Sequence, residues 1–238
     1  MPRGRARITT HLAATAAVLA SAPALAHPGH DVASVGASLA SGLLHPLTGA
    51  DHMLAMVAVG VWSALAVGTA GAFGSFGSFG SVGSVGSVGS VGSVGARGAV
   101  RAGGGVLRVP LTFVALMLVG AALGLAGVGL PAVEPMIAAS LLVVGLLVAL
   151  RAPLPAGAAM ALVGGFALFH GYAHGAELPA SAGALPAVLA YVGGFAVATM
   201  ALHLAGIAAG TLLRRHAPWL ARAAGAGVAL YGVGLMVA

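Results

Sequence analysis

The chain has no cysteine, which excludes disulfide scaffolds, thiolate metal sites, iron–sulfur clusters and cysteine nucleophiles. Charge is scarce as well. Asp, Glu, Lys and Arg make up 6% of the residues, against about 25% in a soluble globular protein. Ten basic residues, all arginine, and four acids serve 238 residues, so a water-solvated surface is excluded for most of the molecule. No Walker-type phosphate loop is present, which argues against ATP hydrolysis by this chain. What is abundant is apolar: 60% of residues are hydrophobic and the mean hydropathy is +1.07. Length alone allows one or two domains; hydropathy makes the chain one polytopic membrane domain.

Arg3, Arg5 and Arg7 precede a short apolar run from Leu12 to Ala20, followed by Ser21-Ala22-Pro23-Ala24-Leu25-Ala26. A positive start, a short apolar stretch and an A-x-A ending describe a secretory signal peptide over residues 1–26. An uncleaved anchor helix is the competing reading. Cleavage after Ala26 leaves a membrane domain over 27–238 that starts His27-Pro28-Gly29-His30-Asp31 outside the cytoplasm.

Apolar stretches near the bilayer-spanning length of about 20 residues occur at 48–69, 110–130, 135–150, 154–176, 184–210 and 217–238. The expected fold is therefore all-α, a bundle of six transmembrane helices after the signal peptide. The third stretch is short and spans with little tilt or not at all. With the mature N-terminus outside, Arg97, Arg101, Arg108, Arg151, Arg214, Arg215 and Arg222 all fall on the cytoplasmic side, as the positive-inside rule expects. Asp31, Asp51, Glu134 and Glu177 fall at or near the outer side. The sequence pI of about 11.4 is thus a topology signal, and no basic patch remains for nucleic acid.

Residues 71–107 contain a Gly-Ser-Phe and Gly-Ser-Val repeat and are expected to form a flexible cytoplasmic loop. The run has no proline, which argues against a collagen-like helix despite glycine at every third position. Gly120/Gly124, Gly171/Gly175 and Gly206/Gly210 have the spacing that lets membrane helices approach closely.

Polar residues inside spans are costly and mark function unless they pair structurally. Here they cluster. One group is His45-Pro46-Leu47-Thr48-Gly49-Ala50-Asp51-His52 at the outer start of the first span. The other is Phe169-His170-Gly171-Tyr172-Ala173-His174-Gly175-Ala176-Glu177 at the outer end of the fourth. His170 and His174 share a helix face, and Glu177 follows on nearly the same face. His45 and His52 would stand about 10 Å apart on a straight helix, too far for one ion. Pro46 and Gly49 favour an irregular start to the span, and irregular backbone is tolerated where it lines a cavity. Asp51 and His52, as neighbours, point in diverging directions. Imidazoles and carboxylates from spans one and four can converge on one membrane side. Such a nitrogen and oxygen set suits divalent Ni, Co, Zn or Cu better than Mg or Ca. Met53 and Met56 could add a thioether, although apolar filling is the commoner role.

Lone His203, about 28 Å along the fifth span, suits a second station on a path or a helix-packing hydrogen bond. His27, His30 and Asp31 form either a weak external metal collector or a solvated tail.

The two clusters resemble the HupE/UreJ family of membrane proteins, linked to hydrogenase and urease maturation. His45-Pro46, Gly49, Asp51-His52 and Ala55-Met56 carry its first motif. Phe169-His170-Gly171, Ala173-His174-Gly175 and Glu177 carry the second. Leu202-His203-Leu204 and Gly206 look like the family's fifth span, and the Gly-Ser segment 71–107 looks like an insertion.

The resemblance implies a non-enzymatic permease of the bacterial cytoplasmic (inner) membrane that takes up nickel or cobalt. It places the metal positions at His45, Asp51, His52, His170, His174 and Glu177, with His203 less directly. The cation is then cargo, and no cofactor is permanently bound. The implied partners are the divalent metal ion, the lipid bilayer and, functionally, urease or hydrogenase maturation proteins; a homo-oligomer stays open. Two alternatives come from other classes. One is a zinc-dependent intramembrane hydrolase, with Asp51 or Glu177 as base, although His-Glu-x-x-His is absent. The other is a membrane metal binder without transport. Haem held between two histidines would leave the neighbouring acids without a use.

Overall fold

A chain this apolar must satisfy its backbone N–H and C=O groups internally, and helices do so within one segment. A computed structural model describes residues 35–73, 94–178 and 185–238, all within the unit Val32–Ala238. The expected signal peptide, His27, His30, Asp31 and residues 74–93 of the repeat lie outside the described residues. The described residues form seven helices: α1 (Val35–Thr48), α2 (Ala50–Phe73), α3 (Val94–Leu125), α4 (Val133–Leu150), α5 (Ala156–Glu177), α6 (Leu185–His216) and α7 (Pro218–Val237). Among them there is no strand.

The all-helical expectation holds, and the protein is a multi-pass membrane bundle. Five helices are long and apolar enough to cross a bilayer: α4, α5, α6, α7 and the Gly105–Leu125 part of α3. The count is six if the bent pair Val35–Thr48 and Ala50–Ala66 forms one span, its halves meeting at 81°. This bend corrects the simple first span expected at 48–69. The sequence reading contained no helix over 35–47. Pro46 sits in the last turn of α1, where it cannot donate a backbone hydrogen bond. Gly49 then separates the helices, and its carbonyl accepts the Met53 N–H at 3.0 Å to start α2. Both ends of the loop expected over 71–107 are helical among the described residues. Helix α2 runs to Phe73, and α3 begins at Val94 despite its glycines. At its C-terminal end α3 stops at Leu125, five residues before the expected 130, and Gly127 takes φ +68°.

Glycine seams set the helix pairing. Helices α3 and α5 meet where Gly171 lies against the Met117 carbonyl and Gly175 against that of Ala121. Gly120 and Gly124 of α3 face Leu168, Tyr172 and Ala176 in return. Gly60 of α2 opposes Gly206 of α6, and Gly42 of α1 abuts Tyr191 of α6. Helix α4 closes on α7 through Gly145, Gly225 and Gly232. All three glycine pairs singled out by spacing thus lie in helix contacts.

Met56, Val59, Trp62 and Leu65 of α2 are buried with Phe113 and Met117 of α3, Val144 and Val148 of α4 and Phe195 of α6. Exposed leucines such as Leu118, Leu146, Leu189, Leu204 and Leu230 face outward, as a lipid-facing surface requires. At one end of the bundle Arg214 donates to the Ala64 carbonyl at 3.1 Å, and Trp62 to that of Ala152 at 2.9 Å. The histidine clusters occupy the other end.

Candidate metal centre

The bend at Gly49 decides the geometry. It folds the end of α1 back so that His45 and His52 both meet His174 of α5. His45 Nε2 lies 2.8 Å from His174 Nδ1, with ring centroids 4.6 Å apart. The His52 and His174 ring centroids are 4.4 Å apart. The distance that a straight helix would impose between His45 and His52 does not arise. Glu177, one turn beyond His174, completes a triple in which one ligand atom each from His45, His174 and Glu177 lies within 4.8 Å of the others. His174 is buried and Glu177 exposed, so the triple opens toward the surface.

His52 continues the cluster inward. Its ring stands edge-on to His170 with centroids 4.8 Å apart. Asp51 and His52 do not diverge as expected. In the first turn of α2 the Asp51 Oδ1 accepts the otherwise unpartnered His52 backbone N–H at 2.9 Å. From there it also reaches His52 Nδ1 at 3.0 Å. A carboxylate at a helix N-terminus also meets the favourable end of the helix dipole. Because a carboxylate accepts, Nδ1 carries the ring hydrogen, and the buried Nε2 has no hydrogen-bond partner.

His170 is fully buried. Its Nε2 lies 2.9 Å from Ser140 Oγ of α4, and its Nδ1 has no partner. The glycine after each α5 histidine has a mechanical role. Gly171 and Gly175 let α3 press against one side of α5 while His170 and His174 reach the neighbouring helices. Aromatic rings frame the outer group, with Phe195 4.3 Å from His174 and Tyr191 5.7 Å from His45, centroid to centroid.

His203 of α6 stands apart from the outer group. It is fully buried, and its Nδ1 donates to the Thr199 carbonyl at 2.7 Å, leaving Nε2 without a partner. Among the described residues it makes no ring contact with the other histidines. Phe113 of α3 lies between, 5.7 Å from His170 and 4.9 Å from His203, centroid to centroid. Thr199 also donates from Oγ1 to Met117 Sδ at 3.7 Å.

The structure thus brings His45, Asp51, His52, His170, His174 and Glu177 together at one end of the bundle. His203 lies deeper, and His27, His30 and Asp31 are outside the described residues. Five neighbours do not stand out in the sequence: Phe113, Ser140, Tyr191, Phe195 and Thr199. For Ser140 and Thr199 a signal existed, a polar side chain in an apolar span. For Phe113 there was none.

A family profile described as "HupE / UreJ protein" matches residues 15–92 and 87–235. Protein HupE of Rhizobium leguminosarum bv. viciae is 38% identical over 232 residues, which cover 97% of each chain. No solved structure matches.

Proposed function

Since the chain belongs to the HupE/UreJ family, we propose that its histidine cluster carries a divalent transition-metal cation, nickel or cobalt, across the membrane. The observation that carries this reading is the meeting of His45 of α1 with His174 and Glu177 of α5, with ligand atoms within 4.8 Å of one another. His52 and His170 extend the cluster with buried nitrogens that have no hydrogen-bond partner. A buried polar atom left without a partner costs about 1–3 kcal/mol, and a cation would relieve that cost.

The donors are imidazole and carboxylate, which favours Ni²⁺ or Co²⁺ over Mg²⁺ or Ca²⁺. A hydrated cation meets exposed Glu177 first and exchanges water for the imidazoles of His45 and His174. Asp51 acts through His52: it holds Nδ1–H and aims Nε2, as carboxylates behind metal-bound histidines do. Glu177 at the mouth and Asp51 behind His52 offset the cation's charge. The cation is cargo, so binding must permit release. His203 forms a deeper station beyond Phe113. We place the mature N-terminus outside the bacterial inner membrane, with the cation moving inward as a permease would pass it, in support of urease or hydrogenase maturation.

Purified protein in liposomes tests this. Accumulation of radioactive nickel or cobalt above that of protein-free liposomes is expected, with calcium and magnesium failing to compete. Stoichiometric binding without flux would mean a membrane binder, and hydrolysis of peptide or lipid amides without flux would mean an enzyme.

A further inference from the structure

We propose that Ser140 is a positioning residue that fixes the tautomer of His170 and so presents Nδ1 as a cation ligand. The proposal rests on the cation-carrying reading above for its consequence, but not for its geometry. Ser140 is 2% exposed and sits in α4, whose only other polar group is Glu134 in the first turn. A hydroxyl there needs a reason.

Its Oγ lies 2.6 Å from the Ile137 carbonyl and 2.9 Å from His170 Nε2. The hydroxyl has one hydrogen, and a carbonyl can only accept. The hydrogen therefore goes to Ile137, and the Oγ lone pair faces His170. Nε2 must then be the donor and carry the ring hydrogen. A neutral imidazole carries one such hydrogen, so Nδ1 is left with a bare lone pair. That nitrogen is buried and has no hydrogen-bond partner.

The same logic operates at the two neighbouring histidines. Asp51 holds His52 Nδ1, and the Thr199 carbonyl holds His203 Nδ1, each leaving Nε2 bare. At His170 the held nitrogen is the opposite one. The acceptor there is a hydroxyl, itself oriented by a helix carbonyl. With Ser140→Ala the Nε2–H loses its one partner among the described residues, and the ring can move its hydrogen to Nδ1, which blocks that ligand position.

Two readouts on the full-length protein in detergent test this. The first is the ring ¹⁵N chemical shifts of histidine-labelled protein without metal, with His170 identified by its loss in His170→Ala. Wild type should show protonated Nε2 and bare Nδ1, and Ser140→Ala should mix or invert that pattern. The second is Co²⁺ affinity. Ser140→Ala should weaken it about 10–100-fold, the usual cost of losing a group that orients a metal-bound histidine. Ser140→Thr keeps the hydroxyl and should restore affinity, while the isosteric Ser140→Val should not. Adding Ser140→Ala to His170→Ala should change affinity by less than about twofold, as expected when one residue acts only through the other. A protonated Nδ1 in the wild type would overturn the proposal. So would Thr and Val variants of equal affinity, or the same Ser140→Ala loss in both backgrounds. If wild type binds no Co²⁺ but its ring shifts respond as expected, the cation reading fails and the tautomer assignment stands.

Discussion

Gly171→Ala should damage the centre without touching a single ligand. A Cβ at Gly171 would overlap the Met117 carbonyl oxygen and lie 2.6 Å from its carbon and 2.9 Å from the Met117 Cα. Comfortable carbon–carbon contact needs about 3.5–4.0 Å, so α3 and α5 must part by about 1 Å there. Overpacking of this kind costs about 1–3 kcal/mol, while alanine returns up to about 1 kcal/mol of helix propensity. The geometric consequence is larger than the energetic one. His170 is the preceding residue, and its 2.9 Å contact to Ser140 does not survive such a shift. Gly165 on the same helix supplies the control, because a Cβ there meets nothing within 4 Å. Gly165→Ala should be neutral or stabilising by up to about 1 kcal/mol. Thermal unfolding in detergent and Co²⁺ titration of both variants provide the assay. The propensity gain is common to both alanines, so they should differ by the overpacking cost of about 1–3 kcal/mol in stability, and only Gly171→Ala should lose Co²⁺ affinity. Equal midpoints and equal affinities would refute the close-packing account of this motif.

His174→Ala removes the side chain that meets both His45 and His52. It should abolish nickel or cobalt uptake while the protein still reaches the membrane, as radiotracer uptake beside an immunoblot would establish; retained uptake would remove α5 from the path. Uptake should also depend on pH. A histidine ligates only when neutral, protons compete with metal, and the unperturbed pKa is about 6.5. Uptake should therefore be highest well above that value and fall as external pH drops through it toward about 6 and below. Acid-insensitive uptake at constant membrane potential would count against histidine ligation.

Much of the centre was legible in the sequence, because intramembrane histidines and acids are expensive and few. The i, i+4 spacing of His170 and His174, with Glu177 following, by itself places three groups on nearly one face. The first motif was harder. His45 and His52 looked too far apart, and only the 81° bend brings both rings to His174. Pro46 and Gly49 signalled irregular backbone there but not its angle. Helix α1 is not legible in the sequence, because fourteen residues rich in serine and glycine are short for a span; its packing on α6 at Gly42 and Gly194 is long-range information. The same holds for Ser140 and Phe113, whose roles depend on which helices adjoin.

X-ray absorption at the cobalt edge of the Co²⁺-loaded protein addresses the convergence of the two motifs on one ion most directly. At least two imidazole nitrogens at about 2.1 Å are expected, with that signal diminished in both His45→Ala and His174→Ala. An all-oxygen shell in the wild type, or a spectrum indifferent to both substitutions, would contradict the account.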